Sequence, residues 1–254
     1  MTSWQPLTDE LDRWNAAGRT ATFWWRDDDA STATAALDTL LSLRCAVDVP
    51  LALAVIPACA DATLGMAVRG GAVDVLQHGF LHRNHAPRGA DKAEFGPQRP
   101  RNEMLAELKH GQQRLATICS VLPVLVPPWN RMDRDLIAAL PAIGINGVSA
   151  IWPRTPAPPG VTMVNTHIDV MEWRKRRFTG VDAALAAAVG HLAGRREGTV
   201  DPDEPTGLLT HHLAHDRPAW DFIRRFIDTT VAHPAARWLA ARALFVRTPD
   251  SSGA

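Results

Sequence analysis

Short apolar segments alternate along the chain with longer segments in which apolar residues recur at helical spacing, a pattern typical of repeated β-α units. The predicted strands lie at residues 21–25, 50–56, 72–77, 124–126, 146–151, 163–168 and 207–210. The predicted helices lie at residues 7–17, 31–43, 60–69, 102–120, 133–140, 180–193, 217–231 and 234–245. Strands separated by helices in this way fit either an open doubly wound sheet or a barrel, and periodicity alone does not separate the two.

Composition restricts the partners more than the fold. The chain has 254 residues, 46% of them hydrophobic, which suits one α/β domain, and no break in composition divides residues 1–254 into two domains. Basic and acidic residues balance at 27 each, so net charge offers no general attraction to nucleic acid or to an anionic membrane. Because neither a signal peptide nor an apolar run near the roughly 20 residues of a membrane span is evident, the protein is expected in the cytoplasm.

The sequence argues against several classes of site. Its three cysteines are an odd number at wide spacings, which disfavours a disulfide framework or a cysteine-based zinc site. No Gly-x-Ser-x-Gly motif provides a nucleophilic serine, and no glycine-rich phosphate loop follows the first predicted strand. The candidate chemistry therefore depends on aspartate, glutamate and histidine.

Polar residues collect at the carboxyl ends of the predicted strands. The segments read RDDDA (26–30), QHGFLH (77–82), PPWN (127–130), HIDVMEW (167–173) and THHLAHD (210–216). Parallel α/β folds carry their functional residues just beyond these strand ends, which meet at one face of the fold. We therefore expect a functional site at this face, although each segment taken alone also fits helix capping or a buried polar group.

The most specific pattern combines adjacent carboxylates with a spaced pair of histidines. The carboxylates at 27–29 repel one another and require a cation, an arginine or open solvent, although a helix N-cap would use one of them. His78 and His82 are four residues apart, which on a helical turn would place both imidazoles on one side. Two histidines and a carboxylate are a common set for a catalytic divalent metal. His211 and His215 repeat the spacing, but His78 directly follows a predicted strand.

Taken in order, the segments resemble the polysaccharide deacetylase family, also called the NodB-homology or carbohydrate esterase family 4 group, over residues 22–216. The resemblance implies a distorted (β/α)7 barrel. The family's TFDDG motif is similar to RDDDA, which implies that Asp28 is the catalytic base and Asp29 a metal ligand. Its His-(Ser/Thr)-x-x-His motif is similar to HGFLH, which implies His78 and His82 as the other ligands.

The later motifs of the family are similar to the remaining strand ends. The Arg-Pro-Pro-(Tyr/Trp) motif is similar to VPPW, the Asp-x-x-Asp-Trp motif to DVMEW, and the closing histidine strand to LLTHH. The resemblance implies that His211 is the catalytic acid, oriented by Asp169 or Glu172. It implies substrate-binding or orienting roles for Trp129, Asn130, Asp169, Glu172 and Trp173. For Trp129 and Asn130, core packing and capping of the next helix are equally good interpretations.

The sequence departs from the family pattern at several positions. Val126 stands where the family usually has the arginine that holds the catalytic aspartate, so the orientation of Asp28 requires a substitute, for which Arg26 and Arg131 are the candidates. Asp27 adds a third carboxylate, so the assignment of base and ligand could shift by one residue. Glycine replaces Ser or Thr at position 79, and glutamate replaces aspartate at position 172. These departures indicate a divergent branch with a small or unusual substrate.

The function implied by this resemblance is metal-dependent hydrolysis of an N-acetyl or O-acetyl group on a sugar-like small molecule or oligosaccharide, with no nucleic-acid or membrane partner. Zinc is the expected divalent metal, held by Asp29, His78 and His82. Trp129 and Trp173 would offer apolar faces to a sugar ring. Two alternatives stay open: hydrolysis of a C–N bond in a non-carbohydrate substrate, and a catalytically silent, metal-containing protein that binds a carbohydrate or metabolite.

Overall fold

The computed structural model describes residues 3–70 and 73–246, so Ala72, the first residue of a predicted strand, lies outside the described residues. The strands are β1 (Ala21–Ala30), β2 (Leu51–Val55), β3 (Val73–His78), β4 (Val121–Val126), β5 (Gly147–Val148), β6 (Thr162–Met163), β7 (Ile168–Asp169), β8 (Met171–Glu172), β9 (Arg177–Phe178), β10 (Thr206–Thr210) and β11 (Ala236–Trp238). The helices are α1 (Gln5–Ala16), α2 (Ala35–Val47), α3 (Ala62–Ala67), α4 (Arg101–Ala116), α5 (Arg134–Ile137), α6 (Val181–Glu197), α7 (Arg217–Val231) and α8 (Ala241–Phe245). Short 3-10 turns lie at Pro57–Cys59, Pro128–Asn130, Leu140–Ile143 and His212–Ala214.

The parallel strands curl into a barrel. Their order is β6-β5-β4-β3-β2-β1-β10-β7, and β11 also pairs with β1. The segment 162–169 pairs with β5 through β6 at one end and with β10 through β7 at the other, and a further bridge joins Ile151 to Thr166. The wall therefore consists of β1, β2, β3, β4, β5, the segment 162–169 and β10. This arrangement confirms the predicted distorted (β/α)7 barrel and excludes the open doubly wound sheet.

Alternation along the strands gives the barrel wall two buried faces. Phe23 and Trp25 of β1 point outward and pack with the apolar faces of the surrounding helices. The inward-facing residues form an apolar cluster together with two residues of α8: Trp24, Ala52, Ala54, Leu76, Val124, Val126, Val164, Ala241 and Phe245. Because successive side chains of a strand point to opposite faces, β1 directs Arg26 and Asp28 inward with Trp24.

Several predicted elements differ from the structure in extent or type. Strand β1 continues to Ala30, so the carboxylates lie within the strand rather than after it. The predicted strand 163–168 is interrupted because the chain leaves β5 there and joins β10. The predicted helix 234–245 is wrong over its first half, where β11 pairs with the start of β1, and only α8 is helical. The predicted helix 133–140 shrinks to the single turn of α5, followed by a 3-10 turn.

An antiparallel hairpin of β8 and β9 follows β7, and the sequence pattern did not predict it. Three consecutive basic residues, Arg174, Lys175 and Arg176, lie in its turn, next to Arg177 of β9. Across residues 3–70 and 73–246, none of the helices combines the length and the apolar character needed to cross a bilayer.

Candidate metal centre and active site

The carboxyl end of β1 places two adjacent carboxylates in one site. Between Asp27 and Ala30 the pairing of β1 with β2 shifts register, and Asp29 adopts a left-handed backbone conformation with φ of 71°. A bulge of this kind re-aims a side chain, and aspartate tolerates the left-handed region better than most residues. Asp28 and Asp29 therefore both reach the mouth of the barrel, although strict alternation would send them to opposite faces.

Asp29, His78 and His82 converge at this mouth. Oδ1 of Asp29 lies 3.1 Å from Nε2 of His78 and 3.3 Å from Nε2 of His82. The potential ligand atoms of the three residues all lie within 4.8 Å of one another. The structure thus brings together the three residues that the sequence predicted as ligands. One carboxylate and two imidazoles are the donor set of a catalytic divalent metal site that keeps positions open for water and substrate.

A tight loop, rather than the expected helical turn, brings the two histidines together. His78 is the last residue of β3, and the chain then turns through Gly79, with φ of 57°, and reaches His82, with φ of 55°. A Cβ atom at position 79 would collide with a carboxylate oxygen of Glu94 and with the ring of Pro128. Glycine is therefore required here, where the family has Ser or Thr.

Glu94 holds this loop in place, and sequence reasoning missed it. Its buried carboxylate accepts hydrogen bonds from the backbone N–H groups of Phe80 at 3.1 Å, Leu81 at 2.8 Å and Arg83 at 3.4 Å. These bonds compensate the burial of the carboxylate and fix the backbone on both sides of His82. Nothing in the segment DKAEFG marks such a role, which arises only when the fold brings residue 94 beneath the loop.

One ring nitrogen of His78 bonds to the backbone, and the other, Nε2, faces Asp29. Nδ1 lies 3.0 Å from the carbonyl oxygen of Val126. Because a carbonyl oxygen can only accept, Nδ1 is the donor, and in the neutral ring Nε2 carries the lone pair that faces Asp29. Metal-ligating histidines commonly donate their other N–H in this way. Burial lowers the pKa of His78, but the hydrogen bond that the protonated ring donates from Nε2 to Asp29 and the charges of the nearby carboxylates outweigh burial, so the pKa is raised overall.

The other two members of the cluster have the protonation states that a cation requires. Burial raises the pKa of Asp29, but the hydrogen bond with His78 and the charges of the nearby histidines outweigh burial and hold the pKa below its ordinary value. Burial and the charge of His78 lower the pKa of His82. An ionised carboxylate and a neutral imidazole are the forms that ligate a divalent metal, so these residues fit such an ion.

Asp28 is held by Arg26, two residues earlier on the same strand. Nε of Arg26 donates to Oδ1 of Asp28 at 2.9 Å, and Nη2 donates to Oδ2 at 3.0 Å. The relative exposures of the two residues are 0% and 1%. Arg131, the other candidate substitute, is half-exposed and pairs with Asp91. The structure therefore selects Arg26 as the partner of the carboxylate.

The third carboxylate, Asp27, points away from this site. It is fully buried, and its Oδ2 accepts hydrogen bonds from Oγ1 of Thr210 at 2.6 Å and from the backbone N–H of His212 at 3.0 Å. Its Oδ1 contacts Nδ1 of His212. Asp27 therefore ties β1 to β10 and to the turn that follows β10, whereas Asp28 and Asp29 occupy the mouth.

His211 lies opposite Asp28 at the end of β10. Nε2 of His211 is 3.9 Å from Oδ2 of Asp28. Trp173 meets the imidazole edge-on, with ring centres 4.4 Å apart. Nδ1 of His211 is buried and has no hydrogen-bond partner among the described residues. The imidazole is therefore positioned by packing rather than by a hydrogen bond to its ring.

The expected hydrogen bond from Asp169 or Glu172 to His211 is absent from the described part of the chain. Glu172 instead forms ion pairs with Lys175 at 2.7 Å and Arg177 at 3.5 Å, because the hairpin turns its carboxylate toward its own basic residues. Asp169 accepts the indole N–H of Trp173 at 2.9 Å, and burial raises the pKa of Asp169. Asp169 therefore contacts Trp173, and the ring of Trp173 in turn packs against His211.

The turn after β4 contacts both halves of the site. Trp129 and Asn130 each have φ of 56°, a costly conformation for residues other than glycine. The ring of Trp129 lies 4.4 Å from that of His82, and Oδ1 of Asn130 accepts a hydrogen bond from Arg26 at 2.7 Å. The N-cap of α5 is Asp133 rather than Asn130. These contacts favour an orienting role for Asn130 over helix capping, and they place Trp129 against a predicted metal ligand.

A second histidine cluster lies near the start of β10. The rings of His167 and His191 stack with centres 3.4 Å apart, and Nε2 of His167 lies 3.4 Å from Oε2 of Glu204. However, Nδ1 of His167 accepts the backbone N–H of Gly207 at 3.0 Å, so the ring proton resides on Nε2. Nε2 of His167 therefore offers no lone pair to a metal, and the cluster is a polar network that joins α6 to the barrel.

Comparisons with known proteins establish the fold. The sequence matches no family model and no curated protein, but many solved structures match. A Mycobacterium smegmatis protein assigned to the polysaccharide deacetylases has a TM-score of 0.62 and 17% identity, covering 91% of this chain and 94% of its own. A family 4 carbohydrate esterase from Streptomyces lividans, solved with acetate, has a TM-score of 0.57 and 16% identity, covering 91% and 98%. A CE4-family pseudoenzyme from Bacillus anthracis has a TM-score of 0.60 and 9% identity, covering 89% and 66%. The chain therefore has the barrel fold of these CE4 polysaccharide deacetylases, at 9% to 17% sequence identity.

Proposed function

We propose that the protein is a metal-dependent hydrolase that removes an N-linked or O-linked acetyl group from a sugar-like substrate. The observation that carries this proposal is the convergence of a three-ligand set, an arginine-held carboxylate and a histidine at one barrel mouth: Asp29, His78, His82, Asp28 and His211. The structural neighbours support the reaction class. They include the esterase solved with acetate and a peptidoglycan N-acetylglucosamine deacetylase with a TM-score of 0.52.

Each residue of the site has a distinct task in this reaction. Asp29, His78 and His82 would hold the divalent ion, with zinc expected, which supplies Lewis-acid polarisation when bound. Asp28 would accept the proton of the attacking water, a role supported by the two hydrogen bonds from Arg26 that hold both of its oxygens in a fixed orientation. Nε2 of His211, 3.9 Å from Oδ2 of Asp28, would protonate the leaving amine or alcohol.

Apolar side chains around the mouth favour a sugar-like substrate. Trp173 is 45% exposed although its ring contacts His211. Leu81, the neighbour of His82 in sequence, is 44% exposed, and Leu213, two residues after His211, is 53% exposed. The C–H faces of a pyranose ring pack well against apolar and aromatic side chains. A non-carbohydrate C–N substrate would have to present a comparable apolar face.

The silent-binder alternative loses its main argument in this structure. That argument is the absence of an arginine at position 126, which without a substitute leaves Asp28 unanchored. Arg26 supplies that anchor through two hydrogen bonds. The fold does not guarantee activity, however, because the Bacillus anthracis neighbour is described as a pseudoenzyme. The experiment must therefore measure catalysis and binding separately.

The test combines metal analysis with acetate release from N-acetylated and O-acetylated oligosaccharides. Zinc-loaded protein should contain about one metal per chain and release acetate. The variant His78→Ala/His82→Ala should lose both properties. The variant His211→Ala/His215→Ala, which removes a pair at the same spacing, should keep the metal. Metal-loaded wild type that binds an oligosaccharide without releasing acetate would establish the silent binder.

A further inference from the structure

The guanidinium group of Arg26 uses all of its hydrogen-bond donors inside the barrel. Arginine carries five N–H groups. Arg26 donates two hydrogen bonds to Asp28 and one each to Oγ of Ser149, the carbonyl oxygen of Ala150 and Oδ1 of Asn130. No donor remains for a substrate. Arg26 therefore acts on Asp28 rather than on the reacting molecule.

The position of Arg26 on β1 explains why a small apolar residue is tolerated at position 126. Residues two apart on a strand share a face, so Arg26 and Asp28 both point into the barrel. Val126 lines the same interior within the apolar cluster that includes Ala52 and Ala54. One buried guanidinium balances one buried carboxylate there. A second cation from β4 would have no counter-charge, and an uncompensated buried charge is strongly unfavourable.

We propose that Arg26 replaces, from β1, the arginine expected on β4 at position 126, and that it is the positioning residue that fixes Asp28 as the proton acceptor. This inference rests on the proposed function. A bidentate arginine–carboxylate pair fixes the plane of the carboxylate as well as its charge. Because Oδ2 of Asp28 lies 3.9 Å from Nε2 of His211, fixing that plane also fixes the base relative to the acid. Ser149 and Asn130 hold the far side of the guanidinium.

The variant Arg26→Lys tests whether the planar fork is needed, because lysine keeps the charge but cannot form the bidentate pair. With zinc-loaded protein, kcat for acetate release should fall about 10²-fold, because the base loses its orientation. KM should stay within about threefold, and metal content should be unchanged. The matched control is Arg131→Lys, at a half-exposed arginine, which should behave as wild type. A kcat for Arg26→Lys within about twofold of wild type would overturn the inference.

A double-mutant cycle with Asp28→Asn separates positioning from general support of the fold. If Arg26 acts through Asp28, Arg26→Met should lower kcat about 10²-fold in the wild-type background and less than about threefold in the Asp28→Asn background. Equal losses in the two backgrounds would show that Arg26 only supports the fold. Such a result would contradict the inference even if both variants remained folded and metal-loaded.

The variant Arg26→Met leaves a buried carboxylate unpaired and can fail to fold. A rescue experiment therefore tests the inference in a second way. The variant Arg26→Thr/Val126→Arg returns the arginine to β4. Folded double variant with kcat within about tenfold of wild type supports the inference, since the cation can then reach Asp28 from either strand. Folded, zinc-loaded double variant without activity overturns it.

Failure of the proposed function gives a different result from failure of this inference. Zinc-loaded wild type that releases no acetate overturns the proposed function, and this inference with it. Active wild type with an equally active Arg26→Lys variant overturns this inference alone. Metal content and the temperature of unfolding, measured for every variant, show whether a loss of kcat comes from a loss of metal or of fold.

Discussion

Asp28 and Asp29 are adjacent in sequence, yet they have different surroundings, which support the different tasks proposed for them. Asp28 is 1% exposed and bound by Arg26, whereas the side chain of Asp29 is 29% exposed and faces two imidazoles. The environment of each carboxylate, rather than its residue type, decides its role in such a pair. The bulge at the end of β1 allows both side chains to reach one site.

Asparagine substitutions should separate the two roles. Asp28→Asn should keep metal content near wild type while kcat falls about 10²-fold or more, because an amide cannot accept the proton. Asp29→Asn should lose metal and activity together, because it removes the only anionic ligand. Metal analysis and acetate release measure both effects. Asp27→Asn should lower thermal stability without either signature, and an Asp27 variant that behaves like one of the other two would show that the assignment is wrong.

The contribution of His211 to the rate should depend on how strongly the leaving group needs a proton. An amine leaves only after protonation, whereas the phenoxide of an aryl acetate leaves without full protonation. His211→Ala should therefore lower the rate of amide hydrolysis much more than the rate of aryl acetate hydrolysis, with metal content unchanged. His233→Ala is the matched control, because His233 pairs with Asp12 and lies next to β11, at the start of β1 and away from Asp28. Equal losses on the two substrates would exclude His211 as the acid.

The loop between β3 and α4 shows how one element builds part of the site. Its conformation depends on Gly79 and on three backbone N–H groups that donate to Glu94. His82, which lies between two of these N–H groups, is the predicted ligand whose position depends most on the loop. His78, by contrast, belongs to β3 and donates to the carbonyl oxygen of Val126 on the neighbouring strand.

Glu94→Gln should weaken metal binding although it removes no ligand. The amide can accept fewer of the backbone N–H bonds, so the loop and His82 lose their fixed position. Metal affinity should fall about 10–100-fold, the usual effect of disturbing a group that orients a ligand. Competition with a chelator measures this affinity. Glu103→Gln, an exposed glutamate at the start of α4, is the control, and an equal change in both variants would contradict the role given to Glu94.

Elements built by regular alternation were predictable, whereas elements shaped by tertiary contacts were not. The strand positions of Trp24, Phe23 and Trp25 follow from the apolar pattern, and the convergence of Asp29 with the two histidines follows from parallel strand ends. The bulge at Asp29, the loop under Glu94 and strand β11 depend on partners distant in sequence. Local propensity carries no information about such partners. The i, i+2 spacing of Arg26 and Asp28, however, already placed them on one face.

At the scale of the whole molecule, the two ends of the barrel have different tasks. The carboxyl ends of the strands carry the predicted ligands, base and acid. Near the amino ends, Arg195 of α6 donates to the carbonyl oxygen and to Oγ1 of Thr22, each at 2.9 Å, and His191 bonds to Oγ1 of Thr206. In (β/α) barrels this second face contributes stability rather than catalysis. Changes in the His191 network should therefore alter the free energy of unfolding and leave the active site intact.

The pH dependence of unfolding tests this division. Burial, followed by the charges of His167 and Arg195, lowers the pKa of His191 to about 2, whereas histidine in an unfolded chain titrates near pH 6.5. Below about pH 6.5 the unfolded state therefore binds a proton that the folded state does not, and the free energy of unfolding falls as pH is lowered. One such proton is worth about 1.4 kcal/mol per pH unit.

Urea unfolding of the metal-free protein between about pH 6 and 4 should thus show a shallower pH slope of the free energy of unfolding for His191→Gln than for wild type, because glutamine does not titrate. His110→Gln, at an exposed histidine of α4, should keep the wild-type slope. Parallel slopes for wild type and His191→Gln would show that the stacked pair does not control acid stability.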